Sequence, residues 1–254
     1  NSFQRFTHLP SNPNSLIDNN VNSLVETTPG ILWTSTNAGG LNKFDTNTNT
    51  FTYFSNENSQ LNNINNEHLN TLYKDQTGNI WLGNKGGVSV FSTKTESFID
   101  FIKLTTGKSP ITESNIRSIL EDHNQNMWFA TNSGVYPHYK ANGKTFHLPI
   151  EPSTSSDSSS KSVSYLYEDD MNTLWLGSWE SGIYTTNIDR NRFHHVQKNG
   201  NGDERINNNM IFSFAEDARE NIWIGTFGGG ISIKSPINNK FDFIKHIPNH
   251  TNTL

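Results

Sequence analysis

Asn79-Ile80-Trp81-Leu82-Gly83, with Lys74-Asp75-Gln76-Thr77-Gly78 before it and Lys85-Gly86-Gly87 after it, decides the fold, because the chain repeats this passage five times. The other copies of its centre are Gly30-Ile31-Leu32-Trp33-Thr34-Ser35, Asn126-Met127-Trp128-Phe129-Ala130, Thr173-Leu174-Trp175-Leu176-Gly177 and Asn221-Ile222-Trp223-Ile224-Gly225. The tryptophans are spaced by 48, 47, 47 and 48 residues, a fixed period that marks a repeat architecture. Apolar residues stand twelve positions before each (Val21, Leu69, Ile116, Val163, Ile211) and nine before each (Leu24, Leu72, Ile119, Leu166, Phe214). A glycine turn follows each: Ala38-Gly39-Gly40, Lys85-Gly86-Gly87, Ser133-Gly134, Ser181-Gly182 and Gly228-Gly229-Gly230.

Each unit therefore reads as four short strands, a to d. An acidic turn joins a to b, the glycine turn joins b to c, and a polar turn joins c to d. A longer Asn/Ser/Pro-rich loop leads on to the next a strand. Glycine suits the b–c turn because a tight hairpin needs positive φ. Four antiparallel strands per repeat with a long return describe a β-propeller blade. The expected fold is all-β, with repeat cores at about 19–54, 66–101, 113–148, 161–196 and 208–245 in a single array over 1–254. The tryptophans are expected to fill the space between neighbouring blades, where a large apolar side chain stabilises most.

Composition agrees. Only 32% of the 254 residues are apolar, yet sixteen Phe and six Trp are present, which suits many short strands and no long helix. The net charge of −5 is spread without a Lys/Arg cluster, which disfavours nucleic acid. No apolar run is long enough to span a membrane, and there is no cysteine for disulfides or zinc–thiolate sites.

The ends parallel one another: Asn1-Ser2-Phe3-Gln4-Arg5-Phe6-Thr7-His8-Leu9-Pro10 matches Asn239-Lys240-Phe241-Asp242-Phe243-Ile244-Lys245-His246-Ile247-Pro248. Residues 1–18 thus read as a lone d strand with its linker, and 246–254 as a linker toward another blade. This points to a segment of a longer array, with a closed five-blade ring as the alternative.

The text Gly78-Asn79-Ile80-Trp81-Leu82-Gly83 with Gly86-Gly87-Val88, its counterpart Asn221-Ile222-Trp223-Ile224-Gly225-Thr226 with Gly228-Gly229-Gly230-Ile231, and Leu9-Pro10-Ser11-Asn12-Pro13-Asn14-Ser15-Leu16 resemble the two-component regulator propeller repeat. That resemblance covers essentially the whole chain. It implies a periplasmic or extracellular sensor region of a bacterial signalling receptor, commonly seven-bladed, preceding a membrane helix and an output domain, with a homodimer formed through the parent receptor. Ser35, Ala130 and the single Gly134 depart from the pattern.

In a propeller the b–c and d–a loops share one face, and loops on a rigid scaffold carry function. The b–c turns place Asn37, Asn84, Lys85, Asn132, Trp179, Glu180 and Phe227 there, and the a-strand starts add Asn20, His68, Asn115, Lys161 and Asn209. Amides beside exposed aromatics suit an oligosaccharide or another polar small molecule, although Asn in such turns also serves the backbone. Trp179 is singled out because it lies outside the structural register. No catalytic residue, metal or cofactor is expected: His194-His195 point to opposite faces of a strand, and Glu168-Asp169-Asp170 reads as a solvated turn lacking the calcium ladder. The alternatives are a purely structural interaction scaffold and an enzyme. Streptogramin-inactivating lyases have similar Trp-containing repeats, and that resemblance would require His68, Glu67 and Glu180 to converge with magnesium.

Overall fold

In the computed structural model, which describes residues 3–37, 40–54, 68–99, 101–105, 111, 114–150, 162–187, 193–200, 204–238 and 240–246, each repeat folds into one four-stranded antiparallel sheet. The first sheet is β1 (Val21–Thr28), β2 (Ile31–Thr36), β3 (Leu41–Asp45) and β4 (Thr50–Phe54). The second is β5 (Thr71–Lys74), β6 (Ile80–Asn84), β7 (Gly87–Ser92) and β8 (Ser97–Ile99), and the third β9 (Ile116–Glu121), β10 (Met127–Thr131), β11 (Gly134–Tyr139) and β12 (Lys144–Thr145). The fourth is β13 (Val163–Glu168), β14 (Thr173–Ser178), β15 (Ile183–Asn187) and β16 (His194–Val196), and the fifth β17 (Ile211–Glu216), β18 (Ile222–Thr226), β19 (Gly230–Lys234) and β20 (Phe241–Ile244). Within every sheet the strands lie in sequence order, the meander expected of a propeller blade.

The chain divides into two compact units: residues 1–121 with 138–146, and residues 122–137 with 147–254. In the first unit Trp33 packs with Leu69, Leu72, Ile80, Leu82 and Phe91, which all belong to the following repeat. In the second, Trp175 joins Ile211, Phe214, Ile222 and Phe241 in the same way. The expected inter-repeat role of these tryptophans is therefore met.

The acidic a–b turn is not a solvated turn. Asp75 is 2% exposed, Asp122 1% and Asp169 9%. Each carboxylate accepts the indole Nε1–H six residues on, at 2.8 Å for Trp81, Trp128 and Trp175, and Asp217 accepts that of Trp223 at 2.9 Å. The other oxygen closes the turn, as Asp169 Oδ1 does by accepting Met171 N at 3.0 Å and Thr173 N at 2.8 Å. A buried indole N–H needs an acceptor, and a charged one makes the stronger bond. In the first repeat Thr27 Oγ1 takes this place for Trp33 at 2.9 Å.

The same turn holds the residue three before each tryptophan at positive φ: Gly30 and Gly78, but also Gln125 (64°), Asn172 (60°) and Glu220 (62°). A side chain in the left-handed region costs about 1 kcal/mol that glycine avoids. Gln125→Gly is accordingly expected to stabilise the chain by up to about 1 kcal/mol, read as a higher urea midpoint at unchanged slope. A lower midpoint would show that the Gln125 side chain contributes more than its strain removes.

At three junctions between repeats, a polar residue at the second position of the a register clips one repeat to the next. Asn22 Nδ2 donates to Leu69 O and Asn70 Nδ2 to Ile116 O, both at 2.8 Å, and Ser164 Oγ donates to Ile211 O at 2.7 Å. Three expected outer strands differ from the sequence reading. Residues 3–9 form no strand; Phe6 instead packs its ring 4.6 Å from Phe44 and 5.8 Å from Phe51. In the second repeat β8 stops at Ile99, and Phe101–Leu104 is a 3-10 turn that turns Phe101 inward onto Trp81 at 5.8 Å. In the third, β12 is only two residues long.

Candidate functional site

The position four residues after each anchor tryptophan carries Asn37, Lys85, Asn132, Trp179 and Phe227. It sits where the b–c turn meets the start of an a strand. Asn37 N donates to Asn20 O at 3.1 Å, Trp179 N to Ser162 O at 3.4 Å and Phe227 N to Met210 O at 3.0 Å. In these three repeats the two loop sets are thereby held together.

Most of the amides named from the sequence are consumed by the scaffold. Asn37 Oδ1 accepts Asn22 Nδ2 at 2.8 Å, and its carbonyl accepts His68 N at 2.9 Å, with His68 at φ 64°. Asn84, 1% exposed, accepts Gly86 N at 2.6 Å. Asn115 accepts Asn70 Nδ2 at 2.9 Å, and Asn209 accepts Lys198 N at 2.6 Å. Lys85, Asn132 and Glu180 are exposed. Lys161 and Glu67 lie outside the described residues, His68 belongs to the first unit and Glu180 to the second.

Trp179 and Phe227 behave differently, and the structure adds a residue the sequence reading missed. Phe212 occupies the clip position held by Asn22, Asn70, Arg117 and Ser164 in the other repeats. Its ring lies 5.4 Å from Trp179 at 64° and 5.8 Å from Phe227 at 35°. Three departures from the repeat thus meet as one aromatic surface. Phe212 is 46% exposed and Phe227 63%. Aligning the clip column alone would have found Phe212, since only there is a polar side chain replaced by a large apolar one.

The surrounding loops are fixed rather than left to be ordered by a ligand. Asn208 Nδ2 donates to Phe227 O at 2.8 Å, and Asn207 bonds Gly229 O and accepts Ser232 Oγ at 2.8 Å. Gly182, at φ 82°, brings Ser181 beside β16, where a β-carbon would meet Val196 O at 2.3 Å. His195 stacks on Tyr184 at 4.1 Å and 3°, and its Nε2–H donates to Ser181 O at 2.5 Å. Burial, the dominant influence, lowers the His195 pKa and favours the neutral ring that this packing requires. Such rigidity reduces the entropy lost on binding.

A two component regulator propeller family model matches residues 110–133 and 205–228. Two of the five repeats thus match that propeller repeat over their a–b hairpins. No curated protein matches the sequence. Among solved structures, the extracellular domain assigned to the hybrid two component system BT3049 of B. thetaiotaomicron is similar, with TM-score 0.72 and 24% identity over 91% of this chain and 29% of that one. The corresponding BT4673 domain gives 0.68 and 19%, over 90% and 28%. The chain thus spans under a third of either domain's length. Virginiamycin B lyase from Staphylococcus aureus gives 0.66 and 12%, over 91% and 71%. These likenesses establish the fold of the repeats as a β-propeller. Among the described residues no helix is long and apolar enough to cross a membrane, and no three His, Asp or Glu side chains gather as a metal cluster.

Proposed function

We propose that these repeats form part of a non-catalytic sensory propeller in a receptor of the hybrid two-component type, facing the periplasm or the exterior. In this reading the platform of Trp179, Phe212 and Phe227 binds a polar small molecule that has an apolar face, an oligosaccharide being the class it suits best. The carrying observation is the convergence of three aromatic departures from two otherwise polar repeat positions. Flat rings take up the C–H face of a sugar, while Glu180 and the turn backbones at the rim offer hydrogen bonds to its hydroxyls. A ligand gripped more tightly in one arrangement of the receptor than in another shifts the balance between them, which is all a sensor requires. Likeness to extracellular domains of two-component systems supports a regulatory role over a lyase one.

Calorimetric titration with a panel of plant and host oligosaccharides tests this reading. Phe212→Ser, which restores the residue type of Ser164, is expected to weaken binding about tenfold or more while the fold stays intact. Unchanged affinity in that variant and in Trp179→Ala would remove the platform from the reading.

A further inference from the structure

Four residues after the positive-φ glycine of the b–c turn, strand c carries Phe44, Phe91, His138, Thr186 and Lys234. The first four are buried, at 8%, 0%, 1% and 3% exposure. In this column Phe91 packs on Trp33 at 5.2 Å and His138 on Trp81 at 6.2 Å, each time the indole of the preceding repeat. Lys234 fills the same place against Trp175, its ammonium 5.5 Å from the ring centroid. A charged group thus stands where the repeat elsewhere puts core.

A comparable ammonium in the first unit is neutralised. Lys140 lies 5.6 Å over Trp81 and reaches Glu121 Oε1 at 2.6 Å and Asp75 Oδ2 at 3.3 Å. The matching carboxylates near Lys234 keep their turn and indole bonds without pairing with the ammonium. Asp169 holds Trp175 Nε1 at 2.8 Å and Thr173 N at 2.8 Å, and Glu216 holds Tyr167 Oη and Asp170 N, both at 3.1 Å. Among the described residues the Lys234 ammonium makes no hydrogen bond or ion pair. It faces a cavity of about 390 Å³ floored by Val196, Ile222 and Phe241, with Glu204 and Glu220 at its mouth. Burial lowers the Lys234 pKa, against the opposing pull of Asp169 and Glu204. This cavity opens by the a–b and c–d turns, at the other end of the strands from the aromatic platform.

A half-buried ammonium that faces a cavity without a protein partner gains most from a full negative charge. The carboxylates around it disfavour a ligand that is anionic overall. Both demands are met by a zwitterion with an apolar side chain. We infer that this cavity is a second binding site, taking a neutral amino acid with its carboxylate on Lys234, its ammonium toward Glu204 and Glu220, and its side chain on Ile222 and Phe241.

The test is calorimetric titration of the whole chain with L-leucine, with isocaproate and isoamylamine as its two half-molecules, and with maltose. Saturable L-leucine binding is expected, with each half-molecule about tenfold weaker or worse. Lys234→Met should reduce L-leucine affinity about tenfold or more without lowering the melting temperature, because the column accepts apolar residues. Glu204→Gln should weaken L-leucine while isocaproate, relieved of a repelling charge, binds at least as well. Trp179→Ala should not alter L-leucine binding, which separates this site from the platform. Absent saturable binding, isocaproate binding as tightly as L-leucine, maltose binding as tightly as L-leucine in Trp179→Ala, or full affinity in Lys234→Met would each overturn the proposal.

Discussion

Trp128→Ala is expected to lower stability by about 3–5 kcal/mol, the range for truncating a large buried aromatic. Trp128 is fully buried, and its Nε1–H donates to Asp122 Oδ2 at 2.8 Å. The deletion removes two things. One is the apolar filling, which the surrounding strands cannot collapse to replace. The other is the donor that satisfies a carboxylate only 1% exposed. In a chain of this size the loss corresponds to a fall of about 10 °C in melting temperature. Thermal unfolding followed by far-UV circular dichroism measures it, and a fall of only a degree or two would show that the tryptophan column is not what holds the repeats. The two parts separate in a double-mutant cycle. Trp128→Phe keeps most of the ring and removes the N–H, whereas Asp122→Ala removes the acceptor. Their combined loss should be smaller than the sum of the single losses, by about 1–3 kcal/mol, because either change alone strands the other partner.

Trp128 also shows what could be seen from the sequence. The tryptophans and turn glycines were legible because one position with one burial requirement, copied five times, leaves a fixed spacing. The aspartate was equally periodic, six residues ahead of Trp81, Trp128, Trp175 and Trp223, yet an acidic residue in a turn first suggests solvation. Only the hairpin geometry shows that the carboxylate folds back over the tryptophan edge. The outer strands were the least legible. Phe3-Gln4-Arg5-Phe6 and Phe241-Asp242-Phe243-Ile244 share a pattern, but a strand exists through its partner. Phe241–Ile244 pairs with β19, while Phe6 packs by its side chain on Phe44 and Phe51.

For the candidate site the sequence located the turns and overvalued their amides. Asn37, Asn84 and Asn209 sit where expected, but their oxygens close turns and clip loops. Trp179 and Phe227 kept their interest because they break a column. Phe212 breaks another, but it follows Ile211 and precedes Phe214, so in the sequence it passed as one more apolar strand residue. Distance is what the sequence lacked: Trp179 and Phe212 are separated by 33 positions and meet ring to ring at 5.4 Å.

The repeat columns also supply the second large effect, a dependence of stability on pH. His138 is 1% exposed, with its ring 6.2 Å from Trp81 and 5.3 Å from Phe101, and Nδ1 shares a hydrogen bond with Thr145 Oγ1 at 3.0 Å. Burial first, and the nearby Lys140 charge second, bring its pKa from 6.5 down to about 4. The unfolded chain therefore binds a proton at this histidine near pH 6.5, while the folded chain refuses it until about pH 4. Stability must then fall as pH drops through that window, by about 3 kcal/mol when the full shift is counted. Two other groups titrate nearby. His195, also lowered by burial, adds loss in the same direction, whereas Glu168, raised by burial, works against it. The comparison that isolates His138 is His138→Phe, the residue its own column carries at Phe44 and Phe91. Urea unfolding at pH 7 and at pH 4.5 should show the variant losing about 2–3 kcal/mol less than the parent over that interval. Identical losses in both would mean that the ring takes its proton inside the fold, and that the packing of Trp81 and Phe101 around it yields more easily than its burial implies.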